Sequence, residues 1–400
     1  MDTITHGIAG ALLGKAFFAE GSSGGRAQAA EDDARPAIIS GRVAMISASL
    51  AAMFPDSDSA LSFFDRTGLA VITSHRGETH SILLLPLWAF ALAWATARIC
   101  KWRKWPAPRL ARLWLIWSAG IASHIFLDLI TSFGTMIWAP LAFTRYQWDL
   151  AFILDFTMTA IVLLPQAAAW VFRRRDGSLA RGFAMWILLA LFAAAVRWLA
   201  VGNQVEFSWV AVAIVALILA ALFVMPRWKG RGFGVERRQW CQAGLVALFL
   251  YLCGMVFAHR AALQRVEDFV LQNGVMAEEI GAIPMPPWMA RWSGVIRAPA
   301  GVYQGPINLL AGGPPRFEFS ADSPPNRFTA LAEAQPDVQA VLRFARFPRI
   351  LYSRRGGMNT VDISDYRFAG RRSRNGAPTG FTYRVTFDEA GNVLSRGWAD

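Results

Sequence analysis

Residues 113–133, LWLIWSAGIASHIFLDLITSF, form an apolar run that holds only two ionisable side chains, His124 and Asp128. A helix needs roughly 20 apolar residues to cross the hydrocarbon core, so this run is long enough to span. The spacing of four puts His124 and Asp128 on one face of the helix. Ionisable groups at membrane depth are costly and normally have a functional partner. The run therefore predicts both a membrane helix and something for that helix to hold.

Working outward, the runs 82–99, 151–172, 183–201, 207–225 and 240–258 read as further spans. Two weaker runs precede them: 38–54, interrupted by Arg42, and 4–18, which is short and Gly-rich; each either spans or re-enters. Hydrophobic residues make up 54 % of the 400 and charged residues 17 %, against about 25 % charged in an ordinary soluble domain. The expected architecture is an α-helical multi-pass membrane domain of about six to eight transmembrane or re-entrant helices. Residues 1–160 would form its first part and 161–259 additional helices. Residues 260–400 are polar and Pro-rich, with helical spacing at 260–280 and strand-like runs at 349–352 and 381–387. The turn chemistry of Asp388 to Asn392 suggests a hairpin there, so this region reads as a small α+β domain outside the membrane. The stretch 20–37, with Gly21 to Gly25 and Glu31-Asp32-Asp33, reads as a flexible loop.

The formal charge of +12 does not point to nucleic acid, because the basic residues cluster between apolar runs. Segment 98–112 carries Arg98, Lys101, Arg103, Lys104, Arg109 and Arg112; Arg173 to Arg175 with Arg181, and Arg227 to Arg238, form two more clusters. The alternate loops are nearly bare, with only Arg145 in 134–150. The positive-inside bias assigns the basic loops to the cytoplasm. Residues 55–81, 134–150 and everything after 258 then fall on the other side, as does His6 if both weak runs cross. Cys100, Cys241 and Cys253 lie in or beside apolar runs, which offers neither a disulfide framework nor thiolate metal ligands. The N-terminus lacks the basic leader of a signal peptide.

Four of the five His residues fall within the first 124 positions, near acidic residues. They are His6, then His75 and His80 in His75-Arg76-Gly77-Glu78-Thr79-His80-Ser81, and His124. Pro55-Asp56-Ser57-Asp58 follows an apolar run, while Asp149 and Asp155 flank the start of another. Each has a plainer reading. A lone interfacial His is ordinarily a polar surface residue, which is the reading for His259. Asp56 and Asp58 suit helix caps, Asp65 a loop carboxylate, and His124 with Asp128 an interhelical hydrogen-bonded pair. A topology set by Lys and Arg alone nevertheless gathers these His and Asp residues at one face, which favours a shared metal site. Imidazole and carboxylate without thiolate suit zinc first, with manganese or iron as alternatives, and there are enough ligands for one or two ions. No Walker A sequence, dinucleotide fingerprint or nucleophile elbow is present.

At these residues the sequence resembles the YdjM-like family of predicted membrane-bound metal-dependent hydrolases. The resemblance runs through Met1 to His6, Pro55 to Asp58, His75 to Ser81, His124 to Thr135, Trp148-Asp149 and Phe152 to Asp155, about residues 1–160. Phe156 stands after Asp155 where members often have Pro. The resemblance implies a bacterial inner-membrane protein with a metal-dependent hydrolase site. It carries His6, Asp56, His75, His80, His124 and Asp128 over as ligands, with Asp58 close behind.

The expected activity is hydrolysis of an ester or phosphoester, with membrane lipids as partners and a lipid or lipid-linked substrate. Asp58 or Glu78 would be the general base and Arg76 would steer an anionic head group. A metal or proton path is the competing reading, but the helices between 160 and 258 offer no continuing line of ionisable groups. A non-catalytic, metal-stabilised scaffold is the third. Oligomeric state is left open by the sequence.

Overall fold

Asp2 opens the first helix by accepting a hydrogen bond from the Thr5 N–H at 2.9 Å, an N-cap that leaves α1 running over Thr3–Leu13. The computed structural model describes residues 1–18, 31–65, 67–106, 108–173, 177–202, 208–228, 235–286, 289–368 and 380–399. The Gly21–Gly25 stretch and the cations Arg174, Arg175, Lys229 and Arg231 lie outside the described residues. A π-helical turn, Gly14–Phe18, continues α1. Next comes α2, Glu31–Met53, and then a 3-10 stretch, Phe54–Phe63. The expected loop over 20–37 is thus corrected from residue 31 onward, where the chain is already helical. Acidic residues at a helix start complement its dipole, so a polar sequence there does not exclude a helix.

The short α3 (Ala70–Thr73) and a 3-10 turn (Glu78–His80) lead into α4 (Leu85–Trp102), which is followed by α5 (Leu110–Leu129). Then come α6 (Phe156–Val171), α7 (Ser178–Gly202), α8 (Trp209–Phe223), α9 (Met225–Trp228) and α10 (Arg237–Asn273). Among the described residues three helices are long and apolar enough to cross a membrane: Leu110–Leu129, Ser178–Trp198 and Arg237–Asn273. The bent pair Ala70–His80 and Leu85–Trp102, which turns through 74°, makes a fourth if it counts as one span. Phe156–Val171 and Trp209–Phe223 are shorter apolar helices.

Small residues bring α1, α2 and α5 together. A Cβ on Gly120 would stand 2.4 Å from Ala51 Cβ, and one on Gly10 would stand 2.4 Å from the Ala48 carbonyl oxygen. Ala44, Ala48, Ala51 and Ala52 on α2 are buried at these crossings. In lipid, where tails are as apolar as Leu, such close approach replaces the hydrophobic effect as the source of helix association.

The helix α10 continues from the apolar run through residue 273, so the change of composition at 260 falls inside one helix. Gly274, at φ +59, ends it in the left-handed conformation that glycine adopts without a Cβ penalty. Two antiparallel sheets follow. The first has the order β1 (Glu279–Pro284), β2 (Arg291–Ala298), β3 (Gly301–Asn308), β4 (Glu318–Ala321). After α11 (Arg327–Glu333) and α12 (Pro336–Phe344) comes the second: β5 (Pro348–Arg355), β6 (Met358–Asp365), β7 (Thr382–Phe387), β8 (Val393–Trp398). The expected hairpin joins β7 to β8, with Asp388 N–H donating to Asn392 O at 3.0 Å. The first sheet packs on α10 through Ala282, Trp292 and Ile296. Around the second, Val338, Val341 and Phe344 share a core with Leu69, Ile72 and Phe133 from the helical region.

Candidate metal centre

The alternating directions of α1, α2, α4 and α5 bring the start of α1, the end of α2, the start of α4 and the end of α5 to one end of the bundle. Asp56, His80, His124 and Asp128 meet there, with one ligand atom from each lying within 4.8 Å of the others. His80, His124 and Asp128 have no solvent exposure and the Asp56 side chain has 8 %. The Nε2 atoms of His80 and His124 face each other at 3.0 Å. Asp128 Oδ2 lies 3.2 Å from the first and 3.3 Å from the second, while Asp56 Oδ1 lies 3.8 and 3.5 Å away.

The protons on these imidazoles can be assigned from their far nitrogens. His124 Nδ1 lies 2.7 Å from the carbonyl oxygen of Ala52, which only accepts, so Nδ1 carries the hydrogen. The Thr79 hydroxyl donates to Asp58 Oδ2 at 2.8 Å and so accepts from His80 Nδ1 at 3.0 Å. As neutral ligands with the hydrogen on Nδ1, both rings would turn the Nε2 lone pair inward, at the other ring and at two carboxylate oxygens. Four such donors repel one another unless a positive charge, a metal ion or a proton on one imidazole, lies among them. Asp128 Oδ2 has no hydrogen-bond partner despite its burial. This donor set fits a divalent metal, and the Nδ1 hydrogen bonds are the outer support such ligands need.

The surrounding residues hold the four in place. Asp58 accepts from His75 Nδ1 at 2.7 Å, the Arg76 N–H at 3.0 Å and Thr79, and lies 3.3 Å from His80 Nδ1. Burial alone would raise the Asp58 carboxyl, but hydrogen bonds from His75 and His80 outweigh it and keep the group ionised well below the usual range. Asp56 behaves alike, its burial outweighed by the neighbouring His124 imidazole, 3.5 Å away, and by a hydrogen bond from the Thr3 hydroxyl. The outer oxygen of Asp128, Oδ1, pairs with Arg76 Nη2 at 2.9 Å and with the Met1 amine, and lies 3.2 Å from His6 Nε2. Arg76 Nη1 donates to Thr131 Oγ1 at 2.9 Å, so both terminal nitrogens of this 3 % exposed guanidinium are engaged.

His6 stacks on His124 at 3.7 Å between ring centroids and has an unpartnered buried Nδ1. His75 stands outside the four-donor group, hydrogen-bonded to Asp58, and Glu78 is exposed on the turn that carries His80. Asp149 pairs with Arg346, while Asp155 caps α6 and accepts from the Tyr251 hydroxyl at 2.6 Å. His259 is half-buried against the Trp292 ring, and Asp65 accepts from the Thr67 and Ala70 N–H groups in its loop.

Sequence reading missed Thr3, Thr79, Thr131 and the Ala52 carbonyl. Thr3 and Thr79 lie inside the quoted His-bearing motifs, but nothing in a sequence marks which carbonyl will face His124. Asp58→Asn tests the support of His80. It is expected to weaken metal binding about 10–100-fold, measured by competition with a chromophoric chelator. Unchanged affinity would show that Asp58 does not orient His80.

Fold and site together define a membrane protein of several apolar helices with a buried His and Asp cluster that suits a divalent cation. Residues 1–204 match the family model described as YdjM inner membrane protein, and the chain belongs to that family. Neither the comparison with curated proteins nor that with solved structures returns a match.

Proposed function

We propose that this chain is a membrane-bound metal-dependent hydrolase of an ester or phosphoester, lipid-linked or lipid itself. The observation that carries the reading is the pair of inward Nε2 atoms gathered with the carboxylates of Asp56 and Asp128 at the end of the helix bundle. His80, His124, Asp56 and Asp128 would hold the ion, with His6 beside Asp128 as a further donor. Zinc is the first choice, manganese or iron the alternatives. An ion bound there supplies Lewis-acid polarisation of the scissile group and acidifies water.

The chain's own groups do the rest. Asp58 and Thr79 keep the His80 lone pair turned inward, and Arg76 neutralises Asp128 Oδ1 so that Oδ2 remains for the metal. That pairing gives Arg76 a different task from steering an anionic head group. Asp58, already accepting several hydrogen bonds, is better suited to orienting than to taking a proton, which leaves exposed Glu78 as the proposed general base. Access would be from the side of His75, whose side chain is 19 % exposed. On the topology that the loop charges favour, this end of the bundle and the sheets beyond α10 would lie on the non-cytoplasmic side of an inner membrane, with the shorter apolar helices adding to the three or four long spans to give six to eight spanning or re-entrant segments. Complete burial of three of the four donors favours a second reading, a structural ion tying the helices together.

Metal content by mass spectrometry on detergent-purified protein, wild type against His80→Ala, is the test. Stoichiometric metal in the wild type, lost in a variant that stays folded, together with turnover on a panel of lipid, carboxyl-ester and phosphoester substrates, supports the hydrolase. Metal without turnover on any of them favours the structural ion. No metal after purification without chelator removes both.

A further inference from the structure

Arg145 lies in the loop between α5 and α6 and donates to three main-chain oxygens. Nη1 reaches Gly134 O at 3.0 Å, and Nη2 reaches Ile72 O and His75 O at 2.8 Å each. The last two carbonyls belong to the end of α3 and to the turn that leads into Arg76 and His80. Carbonyls at a helix end have no partner within the helix and need one from outside. The turn is also strained: Arg76 sits at φ +63, a conformation that a non-glycine residue keeps only where its surroundings over-determine it. A forked, planar guanidinium suits the bridging of several carbonyls in a way that a single ammonium does not.

The socket of Arg145 has a second wall. Its guanidinium lies over the Phe133 ring at 5.2 Å and the Phe344 ring at 5.4 Å. Phe344 ends α12, well past the segment 1–204 that the family model matches. It is fixed by Arg367, whose Nη2 donates to Phe344 O at 2.6 Å and whose Nη1 donates to Ser132 O at 2.9 Å. Arg367 is itself buried and paired with Asp365 at 2.7 Å. Burial, then the charges of Arg76 and Arg367, lower the Arg145 pKa to about 9, so it remains protonated at neutral pH. A continuous line of contacts therefore joins the end of β6, through α12 and Arg145, to the turn that carries His80.

We propose that Arg145 is a positioning residue for the metal centre and that the C-terminal region, through Phe344 and Arg367, completes its socket. Residues outside the family-matched segment would thus set the geometry of a ligand inside it. The inference rests on the metal reading of the site.

The test uses the full chain in detergent: wild type, Arg145→Lys, Arg145→Ala and Phe344→Ala. Hydrogen–deuterium exchange of peptides covering 70–81 reports the turn, and cobalt(II) titration with its visible ligand-field band reports the centre. Arg145→Ala and Phe344→Ala should both speed exchange at 70–81 while α7 and α8 stay protected. They should raise the cobalt dissociation constant about 10–100-fold and alter the band, with Arg145→Lys intermediate. An unchanged band and affinity in both variants, with the wild type binding cobalt, overturns the inference. So does faster exchange spread evenly over the whole chain, which marks general destabilisation. A wild type that takes up no cobalt fails the metal reading instead. Should Arg145→Ala not fold, Arg145→Lys and Phe344→Ala carry the same comparison.

Discussion

Asp128→Ala is expected to remove the bound metal and to destabilise the protein even when no metal is present. Its carboxylate does two things at once. Oδ2 faces the Nε2 atoms of His80 and His124, while Oδ1 pairs with Arg76 at 2.9 Å and with the Met1 amine. Arg76 is 3 % exposed, so removing the carboxylate leaves a buried guanidinium without its counter-charge. Breaking a buried pair by deleting one partner costs about 3–5 kcal/mol, much more than an exposed pair contributes. Thermal unfolding in chelator, compared with wild type in the same chelator, isolates this term from metal loss. Equal melting temperatures there would mean that Arg76 finds another partner and that Asp128 serves the metal alone.

Gly120→Val should act on the same centre without touching a ligand. The Cβ would stand 2.4 Å from Ala51 Cβ and 2.9 Å from the Ala48 carbonyl, both on α2, so the two helices must separate. Overpacking of this kind costs about 1–3 kcal/mol. The larger consequence is geometric. His124 lies one turn beyond Gly120 on α5, and its Nδ1 is anchored to Ala52 on α2, so a shift between the helices breaks the bond that aims Nε2. Loss of stoichiometric metal with a lower melting temperature is the expected result. Leu115→Val, on the exposed face of the same helix, should leave both unchanged. If Gly120→Val kept full metal occupancy, the close α2–α5 contact would not be what sets the site.

The pattern of apolar runs was enough to place the helices because a bilayer leaves little choice: a backbone without water must satisfy its own hydrogen bonds. The motif residues His80, His124, Asp56 and Asp128 were legible for a related reason, since ionisable groups beside apolar runs need partners. Length was harder to read. The run 151–172 forms a helix only from Phe156, because Asp155 caps it, and 38–54 starts helical at Glu31, in a stretch that reads as polar loop. Within the site, Asp58 and Asp56 are chemically identical in sequence, two residues apart. Only the fold turns one toward the Nε2 pair and the other toward the Nδ1 of His80.

What the chain determined by itself was composition and period: apolar helices, a polar sheet-forming end, and His and Asp residues collected at one end of the helices. Periodicity is local, and the cost of exposing polar backbone to lipid or of burying lone charges acts on any neighbour available. Tertiary structure decided which neighbour. It paired Arg76 with Asp128, gave the Ala52 carbonyl to His124, and brought Phe344, 211 positions after Phe133 in the chain, to within 5.1 Å of its ring. Those choices follow from shape and from long-range loop closure, which no local window of sequence contains.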